Sequence, residues 1–242
     1  MDTNLPVISL KGICFAYTKA SPVFNNLDFK FYRGGRIGLV APNGSGKTTL
    51  FHIIMGLLKP CAGTIEIFGQ PIKKENDFFM VRQRIGMLFQ DADDQLFCPT
   101  VIEDVAFGPL NLGKSREQAL EISLKTLEFL GLKDFQDRIT FKLSGGEKKL
   151  VSLATVLAME PEILLLDEPT GGLDNAIKEK LKNILSALDI SIMVISHEMD
   201  FLYRITDSLY TIKNKTVTSN GEFRLHKHVH THKLGGQPHK HD

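Results

Sequence analysis

The sequence predicts an α/β fold: a largely parallel sheet with covering helices, an antiparallel β subdomain ahead of it, and an inserted helical subdomain. Three observations carry that prediction. Short apolar runs alternate with helical patterns, as in parallel strands joined by crossover helices. A Gly-rich loop at residues 41–49 stands between one such run and one such helix. The strand signal disappears between about residues 91 and 159 and then returns.

Residues 7–33 alternate apolar and polar side chains, as at Leu27, Phe29 and Phe31, which argues for antiparallel strands. Residues 36–40 form a short apolar run into the Gly-rich loop, and residues 47–58 carry apolar positions at helical spacing as far as Lys59-Pro60. Residues 64–68 and 85–89 read as further strands, the second ending at Gln90. Helices are expected at 115–130 and 147–159, so that 91–159 is a mostly helical insertion. Strands return at 163–166, 190–195 and 208–212, with a helix at 175–188 between the first two. Residues 1–222 thus read as one domain. After about Phe223 six of the eight histidines fall among Lys, Gly and Pro with almost nothing apolar, and residues 223–242 are expected to be a flexible tail.

Bulk properties exclude several classes. A length of 242 residues can bury one large core. A formal net charge of +1 gives no reason to invoke nucleic acid. Cys14, Cys61 and Cys98 are odd in number, far apart and without CxxC spacing, so they read as reduced cytosolic thiols. The longest uncharged run, residues 48–58, is well short of the roughly 20 residues a spanning helix needs. The start of the chain lacks the basic-then-apolar order of a signal peptide. A transport role therefore requires another subunit to form the path.

The loop Ala41-Pro42-Asn43-Gly44-Ser45-Gly46-Lys47-Thr48-Thr49 has the composition of a phosphate cradle. Amides of residues 43–49 can converge on phosphate oxygens at a helix N-terminus. Gly44 and Gly46 permit close backbone approach, Lys47 suits the β- and γ-phosphates, and the Thr48 hydroxyl suits Mg²⁺. Ala41 replaces the first Gly of the strict pattern without removing a donor. Asp167 and Glu168 end an apolar strand, where open α/β sheets place ligands. By the phosphoryl-transfer template Asp167 holds Mg²⁺ indirectly and Glu168 activates water; otherwise the pair simply leaves the sheet for solvent.

Between these motifs lies Leu143-Ser144-Gly145-Gly146-Glu147. Ser144 and Glu147 have capping-box spacing, which by itself starts a helix. Two consecutive glycines are costly at such a place, and bare amides at a helix N-terminus also make an anion site.

These motifs, in this order, resemble the ATP-binding-cassette (ABC) ATPases, and the resemblance covers about residues 5–222. It implies a P-loop NTPase core that binds and hydrolyses ATP with Mg²⁺. It further implies a homodimer in which each ATP lies between the phosphate loop of one chain and residues 144–147 of the other. By resemblance Tyr17 stacks on adenine, Gln90 senses the γ-phosphate and Mg²⁺, Asp174 communicates across the dimer, and His197 touches the γ-phosphate. Tyr17 could instead be a strand-core aromatic, and Asp174 a plain N-cap. Gly171 stands where the family usually has Ser. The stretches Gln90-Asp91-Ala92-Asp93-Asp94-Gln95-Leu96-Phe97 and Glu103-Asp104-Val105-Ala106-Phe107-Gly108-Pro109 are similar to the energy-coupling-factor importers of the cobalt and nickel type. Leu150 departs from that branch, which commonly has Arg there. That resemblance implies a transmembrane energy-coupling subunit, a substrate-specific membrane subunit, and a place on the cytoplasmic face of the membrane.

His226, His228, His230 and His232 recur at every second position, which puts four imidazoles on one face of an extended chain. Imidazole binds Ni²⁺ and Co²⁺ but also Zn²⁺ and Cu²⁺, so the run is either a metal-capturing element or an adventitious ligand. The expectation is an ATPase that powers nickel or cobalt import. The alternatives are a vitamin importer of the same architecture, a soluble P-loop phosphotransferase, and a nickel-storage protein.

Overall fold

The computed structural model describes residues 5–18, 21–213 and 216–222, with only the backbone of 219–222. The first sheet is antiparallel. Strands β1 (Pro6–Thr18) and β2 (Ser21–Tyr32) form a long hairpin, with Leu10 opposite Phe29 and Ile13 opposite Leu27. The alternation seen in the sequence is the inward face of that hairpin, where Leu27, Phe29 and Phe31 are buried. Next in the chain come β3 (Arg36–Leu39), the phosphate loop and helix α1 (Lys47–Ile54). Strands β4 (Ala62–Ile67) and β5 (Gln70–Ile72) complete the first sheet in the order β2-β1-β4-β5.

Helix α2 (Asp77–Arg84) leads into β6 (Ile85–Leu88). The stretch from there to the next strand holds α3 (Val101–Asn111), α4 (Arg116–Phe129) and α5 (Gly145–Leu157). Its one β feature among the described residues is an isolated bridge between Thr100 and Ile139. Strands β7 (Ile163–Asp167) and β8 (Ser191–Ile195) flank α6 (Asn175–Ala187); α7 (Met199–Ile205), β9 (Ser208–Lys213) and β10 (Thr216–Glu222) follow. The second sheet runs β10-β9-β3-β8-β7-β6, parallel except for the β10–β9 pair. All residues of β7 and β8 are buried, which explains why they read as continuous apolar runs rather than alternation.

Two apolar clusters cover the faces of this sheet. One joins the antiparallel sheet, α1, and Ile163, Leu165, Met193 and Ile195. The other joins α5, α6 and α7 to Leu88, Leu164, Leu166, Ile192 and Val194. Helix α5 therefore belongs to the sheet core as much as to the helical insertion. Helix α1 stops at Ile54, short of the expected residue 58. Gly56 turns left-handed at φ 70°, and a Cβ there would meet the Phe78 ring at 2.4 Å. The N–H groups of Leu57 and Leu58 instead return to the His52 carbonyl.

Candidate functional site

The strand ends of β3, β7 and β8 lie side by side, so the loops that follow them converge. After β3 the chain enters the phosphate loop, where the Ser45 N–H donates to the Pro42 carbonyl (3.2 Å). Gly46 sits at φ 101°, and a Cβ there would lie 2.6 Å from Val23 Cγ1 and 2.8 Å from Phe24 Cζ. Only glycine fits both the dihedral and the space. No side chain caps α1, which leaves its first amides directed at whatever lies before them. The Lys47 ammonium donates to the carbonyls of Ala41 (2.6 Å) and Pro42 (3.3 Å). Burial lowers its pKa, opposed by Glu168 and Asp167.

Asp167 ends β7 almost fully buried, and its Oδ1 has no hydrogen-bond partner. Burial pushes its carboxyl up; the Thr48 hydroxyl bonded to it, and the charges of His52, Lys47 and Lys149, act against that. A cavity of about 670 Å³ opens beside it, lined by Thr48, His52, Gln90, Asp91, Asp94 and Asp167 among others. Among the described residues no group of three or more His, Cys, Asp or Glu could hold a metal ion. A hydroxyl, a side-chain amide and one carboxylate with a free oxygen instead fit Mg²⁺. That ion keeps several waters and binds through one or two carboxylates plus substrate phosphates.

Glu168 has a left-handed backbone, φ 44°, and its N–H donates to the Ile195 carbonyl (3.0 Å). The turn brings Oε1 to 3.3 Å from His197 Nε2. That imidazole nitrogen lies 3.1 Å from Asn43 Oδ1 and 3.4 Å from Lys47 Nζ. Asn43, Lys47, Glu168 and His197 thus form one cluster drawn from three loops. Burial raises the Glu168 carboxyl, with His197 and Lys47 pulling it back down. Tyr17 is well exposed, not a core aromatic; its hydroxyl pairs with Thr49 Oγ1 (3.0 Å), which sets its ring beside the phosphate loop.

The α5 N-terminus is built differently. Ser144 Oγ accepts from the Glu147 N–H (3.3 Å), and Glu147 Oε2 accepts from the Ser144 N–H (2.8 Å). The capping box is therefore present, and Arg138 holds the other Glu147 oxygen at 2.8 Å. These bonds keep the Glu147 carboxyl below the usual range. The two glycines are the first residues of α5, not residues ahead of it. A Cβ on Gly146 would lie 3.2 Å from Ile177 Cγ1 on α6, whereas one on Gly145 would meet nothing within 4 Å. Packing explains Gly146 and leaves Gly145 without an intrachain reason. Among the described residues no hydrogen bond or ion pair joins 144–147 to the phosphate loop.

Asp174 caps α6, its Oδ1 accepting from the Ile177 N–H (2.9 Å). Gln90 is half-buried at the end of β6, on the rim of the same cavity as Thr48 and Asp167. A Cβ at Gly171 would meet only the Glu168 carbonyl, at 3.4 Å. Leu150 is buried in the apolar cluster under α5, which an Arg could not share. His226, His228, His230 and His232 lie outside the described residues. Two groups escaped the sequence reading. His52 follows Thr48 by one helical turn, a spacing that marks the shared face. Lys149 is buried against residues 59 and 60 positions away, and no local pattern signals that.

The ABC transporter family pattern matches residues 24–171, more than half of the chain. A Nitratidesulfovibrio vulgaris protein, provisionally named an ABC transporter ATP-binding protein, is 47% identical over 99% of this chain and 88% of its own. The energy-coupling factor transporter ATP-binding protein EcfA of Methanothermobacter thermautotrophicus is 38% identical over 89% of this chain and 70% of its own. Among solved structures, CbiO1 of Clostridium perfringens, part of the ABC transporter complex cbiONQ, superposes with TM-score 0.78 at 31% identity. That match covers 89% of this chain and 88% of that one. A dimeric ATP-binding cassette in a post-hydrolysis state, with ADP and Pi bound, gives TM-score 0.79 at 25% identity, covering 89% of this chain and 100% of that one. The chain belongs to the ABC transporter ATP-binding proteins of the energy-coupling factor type, and is an ATPase.

Proposed function

We propose that this ATPase works as a homodimer on the cytoplasmic face of a membrane, where it powers import of nickel or cobalt through partner membrane subunits. The observation that carries the catalytic part is the cluster of Asn43, Lys47, Glu168 and His197 beside an uncapped helix N-terminus. In this reading adenine stacks on Tyr17 and the phosphates rest on the amides of residues 43–49. Lys47 turns from its carbonyls to the β- and γ-phosphates. Glu168 takes a proton from the attacking water, a task suited to a carboxylate whose pKa burial has raised. His197 donates toward the γ-phosphate, while Gln90 reports its presence to the insertion.

Mg²⁺, when bound, neutralises charge on the β- and γ-phosphates; Thr48, Asp167 and Gln90 would hold it. Ser144, Gly145, Gly146 and Glu147 of the second chain close the site over the γ-phosphate, and Asp174 lies at the seam. Two chains then make two composite sites. Residues 91–159 are the inserted helical subdomain of a domain spanning 1–222, and 223–242 is a separate His-rich tail.

No helix of the described residues is long and apolar enough to cross a membrane. Support for a membrane partner comes from an apolar groove of about 290 Å³ between the body and the insertion. Met87, Phe97, Phe107, Val156 and Met159 line it, and the buried, unpartnered Oδ2 of Asp104 lies there. It suits a helix with an apolar face and one donor. Support for a metal cargo comes from the likeness to CbiO1, the acidic run at 91–94 and the histidines at 226–232.

The test is purification of the native complex, followed by ATP-driven uptake into vesicles of Ni²⁺, Co²⁺ and a panel of vitamins. Metal uptake supports the reading. Vitamin uptake alone reassigns the cargo, and hydrolysis that requires an added phosphate acceptor removes the transport function altogether.

A further inference from the structure

Helix α5 carries two adjacent lysines, and both point at the segment that follows β6. Lys149 is 4% exposed, on a stretch of α5 where Leu150, Val151 and Leu153 are also buried. Its ammonium donates to the carbonyls of Gln90 (2.6 Å) and Phe89 (3.2 Å), on the side of the molecule where Asp91 and Asp167 lie. Lys148 pairs with Asp93 at 2.5 Å. Within the next two turns of the helix, Gln95 Nε2 donates to the Ser152 carbonyl (2.9 Å) and reaches Thr155 Oγ1 (3.0 Å). The Gln95 Oε1 accepts from the Phe89 N–H (3.2 Å). The segment from Phe89 to Gln95 is thereby fastened along half of α5.

Apolar packing alone would hold α5 on the sheet without fixing its position along the axis, because dispersion and burial are not directional. Hydrogen bonds are directional, and a buried ammonium is tolerated only where its donors are met. A charged lysine is a costly way to fill buried space when Leu or Met would do. Its value lies in what it ties together. At one end of the tie is Gln90, on the rim of the cavity beside Thr48 and Asp167. At the other end, one turn away on the same helix, is the N-terminus formed by Ser144, Gly145 and Gly146.

We propose that Lys149 is a positioning residue for hydrolysis, coupling the place of Gln90 in one ATP site to the place of residues 144–147, which complete the other. This rests on the two-chain reading given above. Occupancy of one site then sets the approach of its chain to the second, through a hydrogen-bonded strut rather than through loop flexibility. Lys148–Asp93 and Gln95 hold the same strut at its two flanks.

The experiment uses the full chain and separates positioning from folding and from binding. Lys149→Met is expected to lower kcat by about 10- to 100-fold, the range a small misplacement of reacting groups produces. ATP affinity of the dilute single chain, read with a fluorescent analogue, should stay within about twofold, an outcome that a lost binding contact would not give. Gln95→Leu, which frees the other end of the same segment, should show the same selective loss; it keeps the proposal open to test should Lys149→Met fold poorly. Unchanged kcat in a folded variant overturns the proposal, as does a kcat loss matched by an equal loss of single-chain affinity. A parallel measurement in the Glu168→Gln background follows ATP-driven dimerisation. If that parent never dimerises, the two-chain reading fails and this inference with it. If it dimerises while kcat of Lys149→Met stays normal, only the role of Lys149 falls.

Discussion

The strand-end cluster and the α5 N-terminus contain similar chemistry but are completed differently. Asn43, Lys47, Glu168 and His197 come from three separate loops and find one another inside a single chain. Ser144 and Glu147 satisfy only each other and Arg138, and the space over Gly145 is open. A cluster assembled by the fold from distant positions is a site in its own right. In the proposed dimer, a helix end finished by its own cap, with a glycine that packing does not require, serves as one wall of a site whose other wall lies in the second chain. Anion-binding geometry alone would not distinguish the two; the partners of each side chain do.

The sharpest way to break this contrast is at Glu168. Glu168→Ala should cut kcat by roughly 10²–10⁴, the worth of a general base, with dimerisation on ATP retained. The pH profile carries a sign. In the proposed role the ionised carboxylate is the working form, and burial raises its pKa, so kcat should fall on acidification at a higher pH than an ordinary glutamate would give. That acid limb should vanish in the variant. A wild-type profile with its acid limb in the ordinary carboxylate range would remove Glu168 from the role.

Next in size is Gly145→Asp. Nothing within the chain obstructs the new side chain, and a carboxylate near a helix N-terminus is favourable, so the melting temperature should hold or rise. Set against a γ-phosphate it costs several kcal/mol, so ATP-driven dimerisation and hydrolysis should fall by at least about 100-fold. A dimer as tight as the parent's would mean that the α5 end is only a cap. Gly146→Ala provides the contrast in the nucleotide-free chain: its Cβ would press on Ile177, so its stability should already change there, by roughly 1 kcal/mol, where that of Gly145→Asp does not fall.

A smaller effect with the opposite sign is expected at Asp167. Its carboxyl is raised by burial, so the folded state holds a proton that the unfolded chain releases. Stability from this group is full below the ordinary carboxylate range and is lost as pH rises through the raised value. Asp167→Asn removes that loss and should raise the melting temperature at neutral pH by about 2–4 °C for each kcal/mol recovered, while hydrolysis collapses. The smallest effect belongs to Arg138 and Glu147, whose partly exposed pair should couple by about 0.2–1 kcal/mol in a double-mutant cycle. A larger coupling would make the cap a structural centre of α5 rather than its trim.

Much of the sheet was legible because its signals are local. The buried runs of β7 and β8 and the alternation of β1 and β2 can each be seen without knowing their neighbours. Helix α2 was missed because it has no apolar stripe: only Val81 is buried, while Phe79 and Met80 face outward. Helix α7 spans only Met199–Ile205, and β10 is almost wholly polar, so neither offered a period to read. The end of α1 was overrun because the apolar pattern continues past Gly56, where the obstacle is Phe78, a residue 22 positions on. The candidate site divides in the same way. The phosphate loop and the capping box are spacings within a few residues, whereas the Gln90 reading needed family resemblance. The burial of Lys149 needed the fold itself, since its partners lie about sixty residues away.

The left-handed backbone at Glu168 has a consequence for how such a chain ages under mutation. A non-glycine residue there costs on the order of 1 kcal/mol or more. Glycine or asparagine would rest in that conformation with less effort. In the proposed mechanism, glycine or asparagine here would silence hydrolysis, so the silencing substitutions are the ones the fold accepts most readily. Once a lineage no longer needs turnover from one copy, drift at residue 168 runs downhill, toward a calmer and catalytically mute relative that could still clasp nucleotide.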